Sequence, residues 1–310
     1  MPEAKLGFFG LLRHSLSIPF KKPNFIVFTI LTYLPSFCFL IMYETLFQHT
    51  LIRAGKILQD TPAADLHRNV FSDSFQTQVA IERMIGDIPL KFLALCLLYL
   101  GILYFLDLFN TIATVDMASI IYTEERAMSL WDMLCRLVKE TRVKGPLITS
   151  ICVLLLDSLL LFGMASVAPY IYITSTIFFS MLFSVIFIAF LVKYMEWSAI
   201  WNMGILISIL EDKQGDVALV VSSYLSRDSR GFGLVLMLVF FAWNIALRLS
   251  SLYVGWTRGG SAVVVITGQV GAICLTNVLK WLMFVVYFYD CKEKSLRKKI
   301  DVEEASPPVQ

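Results

Sequence analysis

From Ser158 to Val192 the chain carries no charged residue. A helix crosses the hydrocarbon of a bilayer in ~20 residues. The run is therefore too long for one crossing and far too apolar for a water-exposed surface. Asn24–Tyr43 is likewise free of charge. The whole chain agrees: Asp, Glu, Lys and Arg make up only 16% of its 310 residues, against roughly 25% in soluble domains. An aromatic content of 14% excludes a disordered polymer. These features predict an all-α, polytopic integral membrane protein.

Six spans are expected, at about residues 24–44, 89–122, 146–168, 170–200, 231–254 and 262–289. The first is too long and too far from the N-terminus for a signal-peptide core, and no A-x-A site follows it. The second is interrupted by Asp107 and Asp116. The long charge-free run is expected to turn at Pro169, in Val167-Ala168-Pro169-Tyr170, which separates spans three and four. Between spans one and two lies an extracytosolic loop, 45–88. It should begin with a helix continuing from span one until Thr61-Pro62, followed by a second around Phe75, Val79 and Ile85. Residues 1–292 then form one membrane domain, and 293–310 a disordered cytosolic tail.

Orientation is read from Lys and Arg. The side holding both termini, the 2–3 loop and the 4–5 loop carries 17 of them, the other side 5. Positive charge marks the cytosolic side, so both termini are expected there, in an endomembrane or plasma membrane. A net charge of +2 gives no reason to expect nucleic acid as a partner. The lipid bilayer is the expected partner, with anionic lipids or cytosolic proteins as further possibilities. The six cysteines fall in apolar runs or basic segments without a CxxC, and free thiols are expected.

A threefold pattern runs through the chain. Leu6–Phe20, Leu130–Val138 and Val217–Leu225 are each amphipathic, each leads through a basic turn, and each precedes two spans. Apolar residues recur at helical spacing, as in Leu12 and Leu16; Leu130, Leu134 and Leu137; and Val217, Val220, Val221 and Leu225. Such helices can lie in the membrane interface, apolar side toward the acyl chains and basic side toward anionic headgroups. Equally, they can be loop helices packed on the bundle.

Polar groups at bilayer depth are costly and are functional candidates. Asp107, Asn110, Thr111 and Thr114 occupy one helical face of span two. Span three contains Asp157, and span four ends with Lys193 and Glu196. Span five carries Asn244, Arg248 and Ser251, and span six Gln269, Thr276, Asn277 and Lys280. The candidate intramembrane network is Asp107, Asn110, Asp157, Arg248, Asn277 and Lys280. Rise per residue pairs Asp107 with Lys280, and more weakly Asp157 with Arg248. Two readings stand side by side. The stripes line a path for a solute, or they are interhelical bonds fixing register, with Gly268 and Gly271 allowing close packing.

Catalytic and cofactor motifs are missing. His14, His49 and His67 are isolated, so no metal site is expected, and no Walker A, G-x-S-x-G or G-x-G-x-x-G occurs. No enzyme activity and no cofactor are expected. The most patterned polar segment is the hinge from Ile207 to Ser222. There Glu211 and Asp212 should close span four, Gly215 supply a turn, and Asp216 cap a helix opening at Val217.

The hinge pattern L-E-D-x-x-G-x-x-A-x-x-x-S is formed by Leu210, Glu211, Asp212, Gly215, Ala218 and Ser222. With Thr114-Val115 and Ala118-Ser119-Ile120-Ile121-Tyr122-Thr123, it resembles a large family of uncharacterised plant multipass membrane proteins. The layout is more distantly similar to the membrane domain attached to some bacterial glycerophosphodiester phosphodiesterases. The resemblance implies six spans and no catalytic residues. The functional expectation is a non-enzymatic membrane protein that organises lipids or partners at the cytosolic face. The alternative is a transporter or channel for a small solute or ion.

Overall fold

The computed structural model describes residues 8–60, 90–91, 93–124, 129–140, 143–173, 177–258 and 262–305. Among them there is no strand. The helices are α1 (Phe8–Lys21), α2 (Pro23–Asp60), α3 (Tyr104–Glu124), α4 (Leu130–Glu140), α5 (Lys144–Ile173), α6 (Ile177–Leu210), α7 (Gly215–Leu225), α8 (Arg230–Arg258) and α9 (Ala262–Ala305). Six segments are long and apolar enough to cross a membrane: Pro23–Arg53, Leu93–Thr123, Lys144–Val167, Phe178–Leu210, Arg227–Thr257 and Val263–Lys298. The chain fits an integral membrane protein.

Local chemistry explains most helix ends. Pro23 opens α2, where its missing N–H costs nothing. Ser129 and Asp132 form a reciprocal capping box in front of α4: the Asp132 amide donates to Ser129 Oγ (3.2 Å) and the Ser129 amide to Asp132 Oδ2 (3.4 Å). A π-helical turn, Tyr99–Leu103, precedes α3 and shifts the register of the helix face there. A 3₁₀ turn, Arg227–Ser229, leads into α8.

The ends of spans three and four and of the last helix differ from the sequence expectation. As anticipated, the first helix continues beyond residue 44, to Asp60; Thr61 and the predicted helix around Phe75, Val79 and Ile85 lie outside the described residues. The turn between spans three and four is not at Pro169, because α5 runs through that proline to Ile173. One lost backbone hydrogen bond is tolerated in a long apolar helix, so proline there does not dictate a break. The fourth span begins at Phe178 and ends at Leu210, not at 170 and 200. Finally, α9 continues through the charged segment after residue 292 as far as Ala305, which corrects the disordered tail expected from 293 up to that residue; 306–310 lie outside the described residues. Pairs at i, i+4 support it there: Lys294 with Asp290, and Arg297 with Glu293 at 2.6 Å.

The chain divides into two compact units. Unit 1 comprises Met1–Ile30, Leu108–Ala242 and Asn277–Gln310. Its centre is the middle of α9, where every residue from Trp281 to Phe288 is buried. A helix buried on all sides must lie in the middle of its bundle. Beside it, α3 buries Ile112, Ala113, Val115, Met117 and Ala118. By contrast α5 and α6 are the peripheral pair, packed on each other and leaving Phe162 and Phe178 at 74% and 70% exposure. Unit 2 comprises Leu31–Asp107 and Trp243–Thr276. There α2 and α8 approach through reciprocal glycines, Gly55 under the Trp256 ring and Gly255 under Ile52. A Cβ at Gly55 would lie 2.8 Å from Trp256 Cζ3, so the contact depends on its absence.

Candidate functional site

Three places combine chemistry with position: the hinge after α6, the outer faces of the short helices, and a buried polar cluster in unit 2.

The hinge gives each residue of the L-E-D-x-x-G-x-x-A-x-x-x-S pattern a physical task. Glu211 accepts from Lys292 Nζ on α9 at 2.7 Å and from Lys213 Nζ at 2.9 Å. Asp212 has φ 55° and Gly215 φ 58°, both in the left-handed region. Short polar residues and glycine tolerate that region best. The Gly215 amide donates to Thr149 Oγ1 on α5 at 2.9 Å. Ala218 and Ser222 are fully buried. They sit where α7 packs on α6, and Gly204 of α6 lies directly against Leu219. The hinge thus ties α5, α6, α7 and α9 together. One detail differs from expectation. The residue before α7 is Gln214, without a side-chain cap, and the helix opens at Gly215; Asp216 lies in the first turn, where its charge favours the helix dipole.

Burial pushes the Glu211 carboxyl up, but the hydrogen bonds from Lys292 and Lys213 outweigh it and hold the group below the usual carboxylate range. A depressed carboxylate stabilises the fold above its ordinary range and loses that contribution as pH falls through its folded value. Glu211→Gln should therefore cost about 0.5–1 kcal/mol at neutral pH. The penalty should vanish in acid, as read from melting curves of both proteins against pH. Gly215→Ala places a Cβ on a left-handed backbone at a cost of about 1–2 kcal/mol. No clash adds to this, since the nearest side-chain atom is 3.5 Å away. The same melting curves measure it.

The second patterned segment clasps α3 to α9. Ser119 Oγ and the Tyr289 hydroxyl are hydrogen-bonded at 2.7 Å, and Tyr122 stacks on Tyr289 with ring centroids 5.1 Å apart. Asp116 of α3 in turn pairs with Arg136 of α4 at 3.4 Å.

Each short helix has two unlike faces. Leu11, Ser15 and Ile18 of α1, Met133 and Leu137 of α4, and Gly215, Ala218 and Ser222 of α7 are buried in unit 1. Large apolar side chains remain outside: Phe9 (81% exposed) and Phe20 (79%) on α1, Trp131 (73%) on α4, and Val220 (68%) and Tyr224 (64%) on α7.

The six residues of the expected intramembrane network are distributed over both units. Asn110, Asp157, Asn277 and Lys280 belong to unit 1, Asp107 and Arg248 to unit 2. Asn110 is buried with Thr111 and Thr114, and its Nδ2 has no hydrogen-bond partner among the described residues. Asp157 accepts a hydrogen bond from Tyr194 of α6. The Lys280 ammonium lies 4.5 Å from the centroid of the Trp281 ring. Glu196, which lies within α6 and not at the end of the fourth span as expected, pairs with Lys193 at 2.8 Å and with Arg230 of α8 at 3.8 Å. Among the described residues nothing lies within 4 Å of a Cβ built at Gly268, and one at Gly271 meets Phe37 at 3.9 Å, so neither shows there the close helix contact expected of it.

The best-built polar cluster escaped the sequence reading. Glu44 is 2% exposed and accepts from Gln48 Nε2 at 3.2 Å and Gln269 Nε2 at 3.0 Å. Gln48 Nε2 also lies 2.9 Å from Ser251 Oγ and 2.9 Å from Gln269 Oε1, and Ser251 donates to Gln48 Oε1 at 3.2 Å. The cluster joins α2, α8 and α9 of unit 2. Ser251 and Gln269 are polar positions of spans five and six in the sequence, but Glu44 stands at the expected end of span one, where a carboxylate marks the membrane surface. Its i, i+4 partner Gln48 is the signal that the helix goes on. Among the described residues no group of three His, Cys, Asp or Glu side chains is placed to hold a metal ion.

Residues 4–303 match the family model of a domain of unknown function, DUF8558. The chain belongs to the DUF8558 family. Neither a curated protein nor a solved structure matches it. In this DUF8558 chain the match covers the helices α1 to α9 apart from the last two residues of α9, so hinge, surface helices and buried cluster all belong to the family's domain.

Proposed function

We propose that this DUF8558 protein is a non-enzymatic membrane protein that organises anionic lipid at the cytosolic face through α1, α4 and α7. The carrying observation is the double-faced build of those helices. One side is anchored in unit 1 while Phe9, Phe20, Trp131, Val220 and Tyr224 point away from it. Large apolar and aromatic side chains facing outward beside Arg13, Lys22, Arg136 and Arg227 are the composition of a helix lying among headgroups. Both readings of the sequence pattern find support here, since packing on the bundle and contact with lipid use different faces. In this proposal the threefold layout repeats one device: surface helix, basic turn, two spans. The excess of Lys and Arg on that side supports a cytosolic position for it and for both termini.

The test is the lipid that travels with the protein. Polymer nanodiscs excised from a membrane of known composition should be enriched in anionic lipid over the bulk. The enrichment should be lost when Phe20, Trp131 and Val220 are replaced together by Ser. Unchanged enrichment in that folded variant overturns the proposal, and loss of a bound protein instead of lipid would identify the faces as a docking surface.

A transport reading has one observation in its favour, the Glu44 cluster. Glu44 precedes Arg53 by nine residues, or ~13 Å of helix, which puts a carboxylate inside the apolar part of the first span. Solute or proton flux in proteoliposomes that disappears in a folded Glu44→Gln protein is the result this reading requires.

A further inference from the structure

Unit 2 contains a half-open cavity of about 340 Å³ lined by Leu46, His49, Thr50, Arg53, Lys91, Ala94, Leu95 and Leu98. Its build follows from two helical repeats. Leu46, His49, Thr50 and Arg53 stand at i, i+3, i+4 and i+7 of α2, and Lys91, Ala94, Leu95 and Leu98 repeat the same spacing in the following helical segment. Each set is therefore one face of one helix. The charges are not spread evenly along these faces. Arg53 closes the first span and Lys91 lies just before the second, so the cations stand at one end of the groove. Leu46 and Leu98 end the two faces at the other, seven residues or ~10 Å deeper. Thr50 adds no donor to the space, because its hydroxyl is used on the Leu46 carbonyl at 2.7 Å. A mouth with Arg53 and Lys91, with His49 and Leu95 about one turn deeper and Leu46 and Leu98 as the floor, matches a molecule that is anionic at one end and hydrocarbon at the other.

We propose that this groove binds the phosphate headgroup of an anionic glycerophospholipid, with Arg53, Lys91 and His49 around the phosphate and one acyl chain along Leu46, Leu95 and Leu98. The position at the membrane boundary of spans one and two is the depth at which lipid phosphates lie. Guanidinium and ammonium donors are the groups best suited to a phosphate. The apolar floor is what separates this site from a site for free phosphate. It is independent of the surface helices α1, α4 and α7, which belong to unit 1.

The test uses the purified protein in a non-ionic detergent, titrated with dioctanoyl phosphatidic acid, dioctanoylglycerol or inorganic phosphate, with binding read from the concentration dependence of Tm. Dioctanoyl phosphatidic acid should raise Tm saturably and the other two should not. The pair Arg53→Gln and Lys91→Gln should weaken binding about tenfold or more. Ala94→Trp keeps the cations, fills the groove from an exposed position, and should abolish binding. It serves as the second variant if the charge substitutions lower the lipid-free Tm. Equal effects of inorganic phosphate or of dioctanoylglycerol overturn the proposal, since one removes the need for the floor and the other for the cations. An unchanged Kd in both the charge variants and Ala94→Trp also overturns it, by placing the lipid elsewhere, and that outcome leaves the proposal for the surface helices standing.

Discussion

Replacing Glu44 by leucine should destabilise the protein by about 2–4 kcal/mol, one of the largest effects of any single polar substitution in the chain. The carboxylate accepts from Gln48 and Gln269 in a site where Glu44, Gln48, Ser251 and Gln269 are all 5% exposed or less. Removing the acceptor leaves Gln269 Nε2 without its partner, and a buried donor left bare costs ~1–3 kcal/mol. Gln48 keeps Ser251 and Gln269 Oε1 within reach, so its share is smaller. The decisive comparison is the double variant. If the cluster holds helices together, Glu44→Leu with Gln269→Leu removes donor and acceptor at once and should be less damaging than Glu44→Leu alone. Denaturant unfolding of the three proteins measures this coupling. Additive losses would mean that the two side chains do not stabilise one another.

The second large effect concerns the middle of α9. Phe284 is fully buried, with Trp281 and Tyr287 ring centroids 6.1 and 6.3 Å away. Phe284→Ala should cost about 3–5 kcal/mol by opening a cavity that the surrounding helices cannot fill. Phe162→Ala on α5 deletes the same atoms from a side chain 74% exposed, and should cost less than about 0.5 kcal/mol. Lipid tails are as apolar as the protein interior, so the loss lies in packing and not in transfer from water. Similar losses at the two positions would contradict α9 as the centre of unit 1.

That contrast also explains what the sequence could and could not convey. Long apolar runs poor in charge identify spans because the bilayer excludes charge, and six such segments are present among the described residues. They do not say which helix is central. Only 6% of the most apolar stretch of the fourth span is buried, against 44% in the sixth. In lipid, hydrophobicity marks contact with the solvent as readily as contact with the core. Segment ends were less legible for the same reason. Pro169 and the charged stretch after residue 292 carry the usual signs of a helix stop, yet α5 and α9 continue through both.

The hinge was the most legible site. Its residue types at Glu211, Asp212 and Gly215 suggested a turn, and the turn depends on two left-handed backbones. What sequence could not supply is the set of partners, because Lys292 and Thr149 are distant in the chain. Glu44 was hidden by its position at the end of an apolar run, where a carboxylate normally announces the membrane surface. The lining of the unit 2 groove was hidden because its two faces are ordinary amphipathic turns until they are set side by side.

The central claim is that α1, α4 and α7 turn their outer faces to lipid headgroups. It is tested most directly at Trp131, an apolar side chain of α4 that is 73% exposed. Fluorescence of reconstituted native protein and of Trp131→Phe, taken as a difference, isolates that indole from the other tryptophans. Quenching of the difference signal by lipids brominated near the headgroup, with little quenching by aqueous iodide, is the predicted result. An indole quenched freely by iodide and untouched by the brominated lipids would contradict the account.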